Sequence, residues 1–278
     1  MSDEAFTRYT LHLADDVAGD DPEVRDLLAA IQPAGWEEID GGRTIRFWLR
    51  RESSDPEEGA RLERLAAFGA LRAAAQEAGW QDGWRRFHRP VRVGAVCVRP
   101  PWYPAQSDAL DVVIDTGMAF GTGSHSTTRL CLEALQDIPR GSLIDAGAGS
   151  GVLALAALRL GFAPVWALDN DPVAVESCLR NAAANGLEPH VMLGDVTDAA
   201  TPLPDADVMV ANLLQGPLLA LARRLSEPSS DDWAPARLVV SGLLEEQGDV
   251  VADALEGYGV VRRAVSGGWL LLDLVRRA

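Results

Sequence analysis

Three glycines spaced two apart, Gly147, Gly149 and Gly151, separate a short run ending at Ala146 from the apolar stretch Val152 to Leu160. Leu143 to Ala146 has the length of a strand, and the Leu/Ala-rich stretch after the glycines has the length and propensity of a helix. Glycine lets the chain turn sharply there and lets another molecule approach the backbone. The helix that follows points free N–H groups into the same space.

The pattern of short apolar runs and helical stretches continues beyond this loop. Val165 to Leu168, His190 to Leu193, Val208 to Leu213 and Leu238 to Leu243 read as strands; Pro172 to Asn185 and Glu245 to about Leu255 read as helices. Continuous apolar strands alternating with helices predict a buried parallel sheet, doubly wound. Two last strands, near Val260 to Val265 and Trp269 to Val275, have no helix between them, which predicts an antiparallel edge.

Residues 1–79 have a different texture. A strand at Thr7 to Leu13 precedes a helix opened by Asp20-Asp21-Pro22. A hairpin follows about Asp40-Gly41-Gly42, and an Ala/Leu/Arg-rich helix is expected from Pro56 to about Ala78. Strand, helix, hairpin, helix suggests a small α+β domain of ferredoxin-like type. Residues 80–107 carry Trp80, Trp84, Phe87 and Trp102 among arginines and are expected to be a packed linker, since no RNP signature or GXXG accompanies them. Residues 108–278 would be the doubly wound domain. Glu227 to Trp233 reads as an exposed loop.

Charge narrows the possible partners. Residues 1–106 hold 14 Arg against 18 acidic side chains, and residues 107–278 hold 11 against 23. The acidic second part should repel nucleic acid phosphates, so no direct nucleic acid partner is expected. Every basic residue is an arginine, which excludes lysine catalysis and lysine-based phosphate loops. Apolar stretches are too short to span a bilayer, and the acidic start Met1-Ser2-Asp3-Glu4 lacks a signal core, so a cytoplasmic location is expected. Cys97, Cys131 and Cys178 form no CxxC and read as buried thiols in a reducing compartment; no metal is expected.

The chemistry-bearing residues fall at strand ends. Asp169 closes the second strand, where a carboxylate can accept both hydroxyls of an adenosine ribose. The loop is GxGxG and not the GxGxxG of a dinucleotide fold. A pyrophosphate needs the longer loop; a methionine tail does not, which favours S-adenosylmethionine over NAD. Asp145 beside the loop suits the ammonium of that tail. Asp195 would accept from the adenine amino group or cap the next turn. Asn212, before Leu213-Leu214-Gln215, would use its amide oxygen to aim the lone pair of an acceptor amine, which makes it the candidate catalytic residue. Before the sheet lies Asp115-Thr116-Gly117-Met118-Ala119-Phe120-Gly121-Thr122-Gly123-Ser124-His125. This loop should end in a helix capped by Ser126, Thr127 or Thr128, with Phe120 over the cofactor and His125 as either a base or a hydrogen-bonded spacer.

Together these segments resemble the ribosomal protein L11 methyltransferase family. DTGMAFGTGSHSTTRL (115–130), LIDAGAGSGVLALAAL (143–158), VANLLQGPLLALA (210–222), LVVSGLLEEQGDVV (238–251) and WQDGWRRFHRPVRVG (80–94) carry the likeness. The resemblance implies a seven-stranded class I methyltransferase domain with an antiparallel last strand, behind an N-terminal domain that docks the substrate. It implies transfer of methyl groups from S-adenosylmethionine to lysine side chains and the N-terminus of ribosomal protein L11, by a cytoplasmic enzyme expected to be a monomer. Carried over by position, its cofactor contacts fall on Thr128, Gly147, Asp169 and Asn212. Thr116, Ser124, Ser126 and Gln215 depart from the family's usual residues. A lysine methyltransferase of the electron-transfer flavoprotein β subunit, or a non-catalytic module on the cofactor fold, are the alternatives.

Overall fold

The computed structural model describes residues 6–17, 21–31, 35–40, 43–50, 57–75, 89–115, 125–226 and 234–277. Contacts divide the chain into two units, Met1–Phe87 and His88–Ala278.

The first unit runs β1 (Phe6–Leu13), α1 (Pro22–Ile31), β2 (Gly35–Ile39), β3 (Thr44–Arg50), α2 (Glu58–Ala66), β4 (Gly69–Ala75). Its sheet has the order β2-β3-β1-β4, antiparallel throughout. This is the ferredoxin-like arrangement expected from the order of elements. Asp21 starts α1 by accepting from the amides of Glu23 (2.9 Å) and Val24 (3.2 Å). Leu11, Ile45, Phe47 and Leu49 on one sheet face bury against Val24, Leu27, Leu28 and Leu65 of the helices. The helix expected from Pro56 to Ala78 is instead a shorter helix followed by β4. Gly69–Ala75 covers the open edge of β1, with Leu71 opposite Leu11. Pairing of those unmet backbone groups outweighs the helix preference of its alanines.

The second unit begins inside the segment expected to be a linker. β5 (Val91–Val93) and β6 (Val96–Arg99) pair antiparallel, and β6 pairs in parallel with β7 (Leu110–Val113). Val96, Val98 and Val112 are buried in the same core as the large sheet's first strand, so residues 91–99 belong to this unit's core. Trp80, Trp84 and Phe87 lie outside the described residues, as does the expected loop 227–233.

The rest is α3 (Ser126–Asp137), β8 (Leu143–Ala146), α4 (Val152–Leu160), β9 (Val165–Asp169), α5 (Pro172–Asn185), β10 (His190–Leu193), β11 (Val208–Asn212), α6 (Gln215–Ser226), β12 (Arg237–Leu244), α7 (Gly248–Ala254), β13 (Tyr258–Ser266) and β14 (Trp269–Arg276). The helix expected over Glu245 to Leu255 starts as a 3₁₀ turn, Glu245–Gln247, before α7. The seven strands lie in the order β10-β9-β8-β11-β12-β14-β13. The first five are parallel, and β14 is antiparallel to both of its neighbours, as the helix-free final pair predicts. One face packs on α3, α4 and α5; the other buries Ile144, Met209 and Val240 against Leu218, Leu221 and Val251. No helix among the described residues is long and apolar enough to cross a membrane.

Candidate active site

The strand order reverses at β8, which has β9 on one side and β11 on the other. Chains leave the two sides in opposite directions and open a crevice at the carboxyl ends of the strands. Register brings four strand ends together there. Ala146 is opposite Leu168 and Ala211, Leu193 is opposite Asp169, and Asn212 is opposite Ser241. A cleft of about 410 Å³ occupies this edge, with Gly147, Asp169, Asp195 and Leu213 among the residues that line it.

The glycine loop is tied to the next strand by its backbone. Gly147 and Ala148 donate their amides to the Leu168 carbonyl at 2.8 and 3.0 Å. Gly147 sits at φ +78°, and a Cβ there would lie 2.4 Å from Leu213 Cδ2. Only glycine satisfies both the backbone and the close approach.

Asp169 is half-buried at the end of β9. Its Oδ2 accepts from the Gly149 amide at 2.8 Å and its Oδ1 from the Asp171 amide at 3.0 Å. The carboxylate thus joins the glycine loop to the turn before α5 and presents its remaining lone pairs at the cleft. Asp195 lines the same cleft and also caps its own turn. Its Oδ1 accepts from the Thr197 amide (2.8 Å) and hydroxyl (2.7 Å). Those bonds hold its carboxyl below the ordinary range. Asp195 is thus the cap of its own turn, at a position that also lines the cleft.

Asp145 is not at the cleft surface. It is 1% exposed beneath the loop, where Oδ2 accepts from the Ala154 amide of α4 at 2.9 Å. A direct contact with a ligand's ammonium, as expected from its place in the sequence, is not offered by a side chain so covered. Oδ1 is buried with no hydrogen-bond partner among the described residues. Burial pushes this carboxyl up to about 7; the Asp169 charge adds to the rise and the Ala154 amide opposes it.

Asn212 closes β11, half-buried, and Gln215 opens α6 just beyond it. The Leu213 amide donates to the Ser241 carbonyl at 3.0 Å, so the residue after Asn212 is pinned to β12. Thr128 is 3% exposed within α3. The cap of α3 is His125 and not Ser126, Thr127 or Thr128. Its side chain accepts from the Thr127 amide, and its ring meets Trp269 edge-on with centroids 4.9 Å apart. A ring held by an aromatic contact and through its nitrogen fits the spacer role. Phe120 lies outside the described residues.

The sequence reading missed Asn181 and Asn185 of α5. Asn181 accepts from the Asp115 amide (2.9 Å) and donates to the Ser150 carbonyl (2.9 Å), joining the stretch before the 116–124 loop to the glycine loop. Asn185 bonds both backbone groups of Val113, at 2.8 and 2.6 Å. The available signal was a pair of amides one helical turn apart on the apolar face of a helix. Arg224 was also missed; it ties the Val196 and Thr201 carbonyls at 2.9 and 2.5 Å and so holds the cleft wall after β10.

Comparison with known proteins agrees with this geometry. Residues 58–277 match the family described as ribosomal protein L11 methyltransferase (PrmA). A ribosomal protein L11 methyltransferase of Geobacter sulfurreducens is 37% identical over 256 residues, covering 86% of this chain and 83% of its own. That of Symbiobacterium thermophilum is 36% identical over 227 residues, covering 76% and 73%. The crystal structure of a ribosomal protein L11 methylase from Lactobacillus delbrueckii subsp. bulgaricus superposes with a TM-score of 0.59 at 26% identity, covering 68% of this chain and 100% of that one. By a match of this extent, and by the strand order and glycine loop that accompany it, the chain belongs to the ribosomal protein L11 methyltransferase family.

Proposed function

We propose that this protein is an S-adenosylmethionine-dependent N-methyltransferase whose substrate is ribosomal protein L11, modified on its amino groups. The observation that carries the reading is the meeting of Gly147, Asp169 and Asp195 around one cleft at the switch point of the sheet, with Asn212 at the neighbouring strand end. The family's relatives bear the name of that activity.

The residues present fit the cofactor. The cleft offers backbone and carboxylates but no lysine, which suits a nucleoside with a cationic tail better than a phosphate group. Gly147 leaves the space that a Cβ would take. Asp169 would hold the ribose hydroxyls, Asp195 the adenine amino group, and the glycine loop the tail. When bound, the cofactor supplies a methyl group on a positively charged sulfur.

The remaining work falls to the chain. An amine is protonated at neutral pH and cannot attack until it loses that proton. Leu213 and Pro217 line the cleft and lower its polarity, which favours the uncharged amine. The Asn212 amide oxygen would accept an N–H of that amine and aim its lone pair, a contribution of position without a covalent step. The first unit, residues 1–79 in the sequence reading, would dock the protein substrate.

The test is incubation of the purified protein with S-adenosylmethionine and purified L11, followed by peptide mass spectrometry. Methylated lysine or N-terminal amines on L11 are expected. Unmodified L11, with methylation found instead on purified electron-transfer flavoprotein β subunit in a parallel incubation, would overturn the substrate assignment.

A further inference from the structure

One buried group stands apart from the roles just given. Asp145 sits at the carboxyl end of β8 under the glycine loop, fully enclosed, and its two oxygens are unequal. Oδ2 has the Ala154 amide; Oδ1 has no partner among the described residues. The titratable groups that face it from the surrounding elements are the Cys131 thiol of α3, the Cys178 thiol of α5 and the Asp169 carboxylate of β9. α4 gives it one amide, and no cation among the described residues acts on it. A carboxylate in such a place lacks the donors or counter-charge that would repay its loss of water. The neutral acid is the form the free site accommodates.

We infer that Asp145 holds a proton in the free protein and releases it when a cationic ligand settles on the glycine loop above, so that cofactor binding is coupled to ionisation of this residue. The inference rests on the proposed cofactor reading. Asp145 acts here as a positioning and charge-balancing residue; it touches neither the methyl group nor the acceptor. The balance is simple. One proton leaves the Asp145 carboxyl for solvent, one cationic ligand enters, and the net charge of the site rises by the ligand's charge less one. Ligand charge and carboxylate then stabilise each other across the loop, as an opposite charge nearby favours the ionised form. The upward shift of this carboxyl toward neutrality, caused first by burial, agrees with the geometry.

The sign follows by linkage. Above neutrality Asp145 is already ionised and binding is at full strength. Below it each pH unit costs about tenfold in apparent affinity, until the acid of the bound state is itself protonated.

Calorimetry of S-adenosylmethionine binding between pH 5.5 and 8, in two buffers of different ionisation enthalpy, reads both the affinity and the protons exchanged. The expected result for the wild type is up to one proton released near pH 6 and affinity that falls with acidity. For Asp145→Asn, which still accepts from the Ala154 amide, that part of the dependence disappears. Infrared difference spectra of the wild type before and after ligand addition check the same event without the variant: a carboxylic acid band should be lost and a carboxylate band gained. Unchanged affinity with no proton exchanged, or no loss of the acid band, overturns the inference alone. Absence of binding at every pH overturns the cofactor reading and the inference with it.

Discussion

Gly242 and Leu213 meet backbone to backbone: a Cβ on Gly242 would stand 2.3 Å from the Leu213 carbonyl oxygen and 3.0 Å from its amide nitrogen. Gly242 holds φ +89°, a conformation that side chains resist, in the middle of β12. The ladder between β12 and β14 slips between Val240 and Leu243, at the same place. The slip falls beside Ser241, the residue that Asn212 faces across the ladder. Gly242→Ala is expected to cost at least about 1–2 kcal/mol from the backbone conformation alone, and to lower turnover by displacing Asn212. Urea denaturation reads the first effect and single-turnover kinetics the second; a variant of native stability and rate would detach Gly242 from the site.

Asp169→Ala removes the acceptor of two loop amides and the expected ribose contact together. Cofactor affinity should fall by roughly 1–3 kcal/mol, the cost of leaving hydrogen-bonding groups unpaired. Calorimetry with S-adenosylmethionine measures it. Unaltered affinity would count against the assignment of Asp169.

Asn212→Ala should act on the rate and not on the cofactor. We expect turnover to drop by a factor of about 100 or more, as when a well-aimed reactant is released, with the cofactor dissociation constant changed only slightly. The opposite split would make Asn212 a structural residue of the β11 end.

Asp145 also writes itself into stability. Its carboxyl stands near 7 in the folded protein and near the ordinary carboxylate value in the unfolded chain. Between those two values the unfolded state binds fewer protons, so the unfolding free energy contributed by Asp145 falls as pH rises, by at most about 1.4 kcal/mol per pH unit, and is level above about 7. In the ligand-free protein, Asp145→Asn should flatten the pH dependence of the urea midpoint between pH 4.5 and 7. An identical slope in both proteins would place the ionisation elsewhere.

Deleting residues 1–87 should leave S-adenosylmethionine binding intact, because the glycine loop, Asp169 and Asn212 all belong to the second unit. Methylation of folded L11 should be lost. Full activity of the shortened protein on L11 would remove the docking role from the first unit.

The large sheet was legible because its parallel strands are local apolar runs closed by turn residues, and such strands need little else. The site was legible for a related reason. Glycines and acids that close successive strands converge on one sheet edge, so Gly147, Asp169 and Asp195 could be named as candidates from spacing, although Asp195 also caps its own turn. β4 was not legible: its residues after Gly69 are good helix formers, and the edge that claims them is β1, far away in sequence. The cap on α3 was hidden because a histidine acting as a cap looks the same in sequence as one acting as a base. Asp145 was placed correctly at the loop but on the wrong side of it, since no spacing rule says whether a strand-end acid faces solvent or core.

Because β14 is inserted between β12 and β13, a strand that follows both in the chain lies between them in the sheet. While a ribosome is still building this chain, β12 has an open flank and β13 has no neighbour. The sheet cannot close until residues 269–276 have emerged. The flank of β12, whose other edge carries the Asn212–Ser241 pairing at the crevice, therefore stays uncovered until β14 is in place.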